Sequence, residues 1–245
     1  MLFAMLVIAL SFGARVFFNT PVYLSDIGGL GAFLTVFGTL YGILIAFVVF
    51  EVWGQYNKAA GLINLEAQAL ERLYRLTLYF RDAELARRMK EAIFGYANKV
   101  IEEKFQTLGS GGRNKENSVL FRKISLVIRD IRFDDDHDQV VFSQILDHYG
   151  HLGEIRTERV KQSLERLPTL LKTFIYASSG LALFSFVVMP FASFFYHALA
   201  IGGLGFTLTM VFQLIEDLDN PFVGHWNVTP EPFERTIKHI EEDYS

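Results

Sequence analysis

The sequence predicts an all-α integral membrane protein with four transmembrane helices and a cytoplasmic helical bundle between the second and third. Three observations carry this. The run from Thr173 to Ile215 holds no Asp, Glu, Lys or Arg, and it is about twice the roughly 20 apolar residues that cross one bilayer. A second stretch, Ile27 to Phe50, is also uncharged and long enough for one crossing. Between them the charge is gathered: Val52 to Lys172 holds 20 of the 23 Lys and Arg, with 17 Asp and Glu. At 51% hydrophobic and 20% charged residues, the chain is too polar to lie wholly in lipid and too apolar to lie wholly in water.

The first crossing is placed at 1–19, where Met1 to Phe18 is apolar apart from Arg15. A cleaved secretory signal wants a basic start, which is missing, so the segment reads as an uncleaved crossing with Arg15 snorkelling to the outer interface. The second crossing falls at 29–53. The third and fourth, 169–190 and 195–216, divide the long uncharged run near Pro190 and Tyr196-His197. The outer connections, 19–28 and 191–196, carry no Lys or Arg. The positive-inside rule therefore puts the basic central segment and both termini in the cytoplasm. The expected division is 1–53 for crossings one and two, 54–166 for the cytoplasmic helical domain, 167–216 for crossings three and four, and 217–245 for a cytoplasmic tail.

The central segment has helical periodicity. Leu62, Leu65, Ala69, Leu73 and Leu76 recur at three- and four-residue steps, as do Leu85, Met89, Ile93, Tyr96 and Val100, then Leu120, Ile124 and Val127. Val141, Ile145, Leu152 and Ile155 fit the same pattern with one turn skipped. Gly109-Ser-Gly-Gly112 reads as a loop, and Asp134-Asp-Asp-His-Asp138 as a polar turn before a helix. No Pro interrupts Phe50 to Tyr79, so the second crossing is expected to continue as one helix. About 28 further residues would carry it roughly 40 Å beyond the bilayer. In the tail, Thr229-Pro230 forms an N-cap and N1 pair for a last amphipathic helix using Phe233, Ile237 and Ile240.

The second crossing carries the most suggestive chemistry. Gly38, Gly42 and Ala46 step by four and make a small-residue face suited to close helix packing. Thr35, Thr39 and Ile43 step by four on the neighbouring face, which could equally line a narrow path gated by dewetting; Phe47 and Glu51 continue it. Glu51, beside Trp53 and Tyr56, reads either as an interfacial acid in an aromatic belt or as a charged ring at a pore mouth. Glu216, Asp217 and Asp219 close the fourth crossing and are expected to be solvated acids.

Other chemistry finds little support. Cys is absent, which removes disulfides, thiolate metal sites and cysteine nucleophiles. The Asp134–Asp138 cluster lacks calcium-loop spacing. His148 and His151 could share a metal, but no known ligand pattern surrounds them, so no metal or cofactor is expected. No phosphate loop or nucleophile elbow is present, which leaves no positive argument for an enzyme. From Glu216 to Ser245, 8 acids face 2 bases, which argues against nucleic acid and anionic lipid as partners of the tail.

The run Glu51-Val-Trp-Gly-Gln-Tyr-Asn57, followed by Gly61-Leu-Ile-Asn-Leu-Glu-Ala67 and Leu70-Glu-Arg72, resembles the bestrophins. The tail stretch Leu218-Asp-Asn-Pro-Phe-Val-Gly224 is similar to that family's Pro-Phe-Gly segment. The likeness is closer to bacterial bestrophin-like domain proteins, through Gly38, Gly42, Ala46 and Phe47, the Asn64-x-Glu-Ala67 turn, Leu167-Pro168, and Asp217 with Pro221 and Phe222. The resemblance implies a homo-oligomeric ion channel, pentameric, with the second crossing around a central pore for small inorganic ions. It places Thr35, Thr39 and Ile43 where bestrophins carry the apolar rings of their neck, and Glu51 where they tend to carry a base. Two Thr imply a wetter constriction, and Glu51 tilts the inner mouth toward cations. The acidic calcium clasp of animal bestrophins should follow the Pro-Phe-Gly stretch at once. Here His225 stands at its first position and no acid precedes Glu231, so no calcium gate of that type is expected.

The sequence therefore favours a self-assembling channel in the bilayer. Its rival is a non-conducting membrane scaffold or sensor whose cytoplasmic helices bind a partner. A membrane hydrolase using His148 or His151 is a third and weaker reading.

Overall fold

A computed structural model describes residues 13, 27–103, 115–132, 136–189, 191, 193–223 and 225–243. The first crossing at 1–19 (Gly13 apart), residues 20–26 of the outer connection and the glycine loop at 109–112 lie outside the described residues. Those residues form seven α-helices and no strand: α1 (Ile27–Leu78), α2 (Ala83–Glu103), α3 (Lys115–Arg129), α4 (Asp136–Gln162), α5 (Thr169–Val188), α6 (Phe194–Asp219) and α7 (Glu231–Asp243). α1, α5 and α6 are long and apolar enough to cross a membrane.

The chain divides into two compact units. One comprises the described residues up to Trp53 together with Leu167–Asp219. Leu183 of α5 and Ile201 and Leu208 of α6 form its buried centre, with Tyr41, Phe186, Val187, Leu204 and Phe212 packed around them. Small residues let α5 approach its neighbours: Ser178, Ser179, Ala182 and Ser185 are all buried. The hydroxyls of Ser179 and Ser185 bond back to the carbonyls of Ile175 and Leu181, so they bring no unpaired donor into an apolar setting.

The other unit comprises Gly54–Arg166 and the described residues from Asn220 onward. Its core takes the expected stripe of α2 (Leu85, Met89, Ile93, Tyr96, Val100) with Ile124, Val127, Val141, Ile145, Leu152, Phe222, Phe233 and Ile240. Each fully buried Leu, Ile or Phe there contributes about 1.5–3 kcal/mol. The buried face of α1 is rotated from the expected one. Ile63, Glu66, Ala67, Leu70, Leu73, Tyr74 and Thr77 point inward, while Leu65 is 50% exposed. The segment is apolar on several sides, and the inward face has a carboxylate at its centre, which hides it from a hydrophobic count. Continuity of α1 agrees with the absence of Pro.

Two helix starts show local control. Asp82 caps α2 by accepting the N–H groups of Glu84 (2.9 Å) and Leu85 (3.0 Å). The turn before it holds Arg81 at φ 55°, the left-handed region. At α7 the carbonyl of Pro230 accepts from the N–H groups of Phe233 and Glu234, so Pro230 takes the cap position expected for Thr229. Pro suits either place because it offers no N–H to waste.

Candidate functional site

Helix α1 turns one side to its own chain and another outward. Phe33, Phe37 and Tyr41 stack in a ladder with centroids 5.6 and 5.9 Å apart, and Tyr41 hydrogen-bonds Ser179 of α5. Val48 and Val52 are buried. Thr35, Thr39, Ile43, Phe47 and Glu51 are all exposed, as are Gly38, Gly42 and Ala46. A Cβ built on Gly38 or Gly42 meets nothing within 4 Å. Neither glycine has a packing partner among the described residues.

The two threonines have spent their protons. Thr35 Oγ1 donates to the carbonyl of Gly31 at 2.9 Å, and Thr39 Oγ1 donates to that of Thr35 at 2.8 Å. A hydroxyl has one donor and two acceptor lone pairs, so what remains for a visitor is acceptor oxygen beside a methyl group.

Asp219 at the end of α6 is buried in a clamp and is not the solvated acid expected, whereas Glu216 stays half exposed while joining it. Asp219 is buried; its Oδ1 accepts the Leu167 N–H at 2.6 Å and its Oδ2 lies 2.7 Å from Lys172 Nζ. Lys172 also reaches Glu216 at 3.1 Å, and Glu216 accepts a hydrogen bond from Tyr176. The start of α5 is thereby tied to the end of α6. Desolvation explains the difference: Leu167 is buried just before a helix start, and its amide needs an acceptor that water does not supply.

A family model described as bestrophin-like domain matches residues 2–233. The chain belongs to the bestrophin-like family. Three crystal structures of a bacterial bestrophin homologue from Klebsiella pneumoniae share its fold. One point variant superimposes with TM-score 0.73 at 14% identity, covering 99% of this chain and 97% of that one. A second gives 0.72 at 12%, covering 100% and 98%. A structure phased on zinc gives 0.71 at 12%, covering 99% and 97%. The sequence matches no functionally curated protein. With the apolar helices, these likenesses make the chain an integral membrane protein of bestrophin-like fold.

Within this bestrophin-like fold the tail residues separate. Asp217 is half-buried at the end of α6. Pro221 and Phe222 are buried in the helical unit, where the Pro221 carbonyl accepts the Val228 N–H at 2.8 Å. Gly224 lies outside the described residues. His151 pairs with Glu154 at 3.5 Å, and among the described residues no three His, Asp or Glu side chains gather as a metal site. His148 titrates below its ordinary value because burial penalises its charge and Arg72 adds repulsion. Of the acidic cluster, Asp134 and Asp135 lie outside the described residues, α4 begins at Asp136, and Asp138 is buried.

Sequence reading missed one constellation altogether. Glu66, in the Asn-x-Glu-Ala stretch that marks the bestrophin-like resemblance and lies within α1, is fully buried. It accepts two hydrogen bonds from Arg159 of α4, one of them at 3.2 Å, and one from Tyr96 of α2. Burial pulls the Arg159 pKa down, but the Glu66 charge beside it more than reverses this and leaves it above its usual value. Burial and the Glu66 charge push the Tyr96 phenol up. The available signal was a carboxylate inside an apolar helical stretch, which must have a partner somewhere.

Proposed function

We propose that the chain assembles into a ring, pentameric by analogy with the bestrophins, in which α1 surrounds a central pore and small ions pass along Thr35, Thr39, Ile43, Phe47 and Glu51. The observation that carries this reading is the exposed side of α1: a polar-to-apolar row ending in a carboxylate, flanked by glycines with no packing partner among the described residues. Family membership supports it. A row of i, i+4 residues runs at about 26° to the helix axis, so a comparable lean of α1 across the ring axis brings successive members of the row toward the pore. Gly38, Gly42 and Ala46 then lie on the flank that meets the next copy, where small residues permit close approach.

Acceptor-only threonine oxygens and a Glu51 ring at the inner mouth favour cations over anions. No catalytic role is assigned to any residue. The proposed setting is the bacterial inner membrane, with residues 54–166, the tail and both termini on the cytoplasmic side.

Planar-bilayer recording of purified protein in asymmetric KCl tests this reading. Discrete currents with a cation-selective reversal potential are expected, and Glu51→Gln should lower cation permeability relative to anion. Silence from protein shown to be inserted and oligomeric would refute the channel and leave the scaffold reading. An unchanged reversal potential in the variant would remove Glu51 from the pathway. Because native Cys is absent, Cys placed at 35 or 39 can also be probed with a water-soluble thiol reagent; protection at both positions would mean dry packing.

A further inference from the structure

In its membrane half, α1 has one stripe covered by its own chain. Leu34, Phe37, Tyr41, Ile45, Val48 and Val52 are half-buried or buried and recur at three- and four-residue steps. Apart from Tyr41, none of these side chains carries a polar atom. Apolar contact selects the rotation of a helix only weakly in a membrane, because the lipid tails it would otherwise meet are as apolar as its neighbours. A directional bond is needed to fix the roll of such a helix about its own axis.

Tyr41 supplies one. Its phenol meets the hydroxyl of Ser179 on α5. Ser179 is 2% exposed and gives its own proton to the Ile175 carbonyl at 2.8 Å. Only lone pairs remain for Tyr41, so the phenolic O–H is the donor. The ring cannot swing freely away: it packs on the cluster of Leu183, Ile201 and Leu208, and Phe37 stacks on it at 5.9 Å.

At about 100° per residue, Thr39 and Ile43 lie about 160° round the helix from Tyr41, one on each side of the point opposite it. Both are exposed. The bond that turns Tyr41 toward α5 therefore turns these two away from it.

We propose that Tyr41 is a positioning residue of the ion path: its hydrogen bond to Ser179 fixes the roll of α1 and keeps Thr39 and Ile43 aimed at the ring axis. This rests on the reading of α1 as the helix around the pore. Tyr41 itself stays out of the path. Without the bond, α1 rolls to either side, and Thr39 loses its preference over its neighbour Leu40.

A single Cys at 39 or at 40 reports the roll, since native Cys is absent. The full chain in liposomes is treated with a water-soluble thiol reagent, and 39 should react faster than 40. Tyr41→Phe keeps the ring and drops the hydroxyl. The 39:40 rate ratio should then fall about threefold, the shift that an average hydrogen bond between membrane helices controls. Ser179→Ala should give the same fall, and the double variant no more than either. Tyr196→Phe removes a hydroxyl from an exposed position of α6 and should leave the ratio unchanged. Native mass spectrometry checks that the variants keep the parent's oligomer; loss of assembly in both Tyr41→Phe and Ser179→Ala would make the bond structural and overturn the assignment. Protection of 39 in the parent would refute the pore and this inference with it. A reactive 39 with no preference over 40, or with a ratio that ignores both variants, would overturn the role of Tyr41 and leave the pore standing.

Discussion

Removing Arg159 while leaving Glu66 in place is the most informative perturbation of the helical unit. The Glu66 side chain is 0% exposed and that of Arg159 is 4% exposed. At about 3 Å and an effective dielectric near 20, the attraction between unit charges is about 5 kcal/mol. Arg159→Met keeps most of the volume and strands the carboxylate. The expected loss is about 3–5 kcal/mol, the typical cost of breaking a buried pair from one side. Glu66→Gln with Arg159→Met removes both charges and should cost less than Arg159→Met alone, because no charge is then stranded. Denaturant unfolding of the four species in one detergent gives the double-mutant cycle.

The pH dependence sharpens this test. A stranded, buried Glu66 should have a folded-state pKa raised above its unfolded value. Its protonated form is then tolerated at low pH, and stability falls as pH rises through the folded value. The deficit of Arg159→Met should therefore shrink on acidification, and that of the double variant should not. A deficit below about 1 kcal/mol, or one that ignores pH, would refute the account of Glu66 as a charge held by Arg159.

Three further expectations follow from the geometry. Asp219→Ala removes both the acceptor for the Leu167 amide and the partner of Lys172, and should cost about 1–3 kcal/mol; Asp219→Asn keeps an acceptor oxygen and should cost less, as read from thermal midpoints. Gly42→Leu should leave the helical content unchanged and the stability of the single chain within about 1 kcal/mol, since helix propensity improves and no neighbour is met among the described residues, while native mass spectrometry should show a broken assembly; an intact oligomer would mean the glycine flank is not the contact. His148 has a folded pKa below its ordinary 6.5, with burial the larger cause and Arg72 the smaller. The unfolded chain then binds more protons, so stability should drop as pH falls from about 6.5 toward the lower folded value. His148→Gln should flatten that part of a stability–pH curve, and an unchanged slope would dismiss the residue.

Helices with one clean apolar face were legible from sequence. Leu85, Met89, Ile93, Tyr96 and Val100 repeat at helical spacing and all point inward. The inner half of α1 was misread because apolar residues occur on several of its sides, and Leu65 looked as good a core residue as Ile63. Only the position of α2, α4 and α7 decides between them. The charged anchors were hidden for a different reason. Glu66 meets Arg159 across 93 residues, and Asp219 meets Leu167 across 52. No local period links such partners, so an acid at the end of an apolar helix looked like an acid in water. The row on α1 was visible as spacing, but the spent protons of Thr35 and Thr39 emerge only from the carbonyls beneath them.

The bond between Asp219 and the Leu167 amide has a consequence for the architecture as a whole. It closes α5 and α6 into a loop whose two ends lie one hydrogen bond apart. Such a segment is a cassette: the backbone can leave the rest of the chain, run out and return with almost no displacement between its ends. Insertions and permutations succeed where termini are adjacent. The hairpin between Leu167 and Asp219 is thus a unit that relatives could exchange whole, provided that the donor brings a carboxylate at its last residue and an unpaired amide at its first.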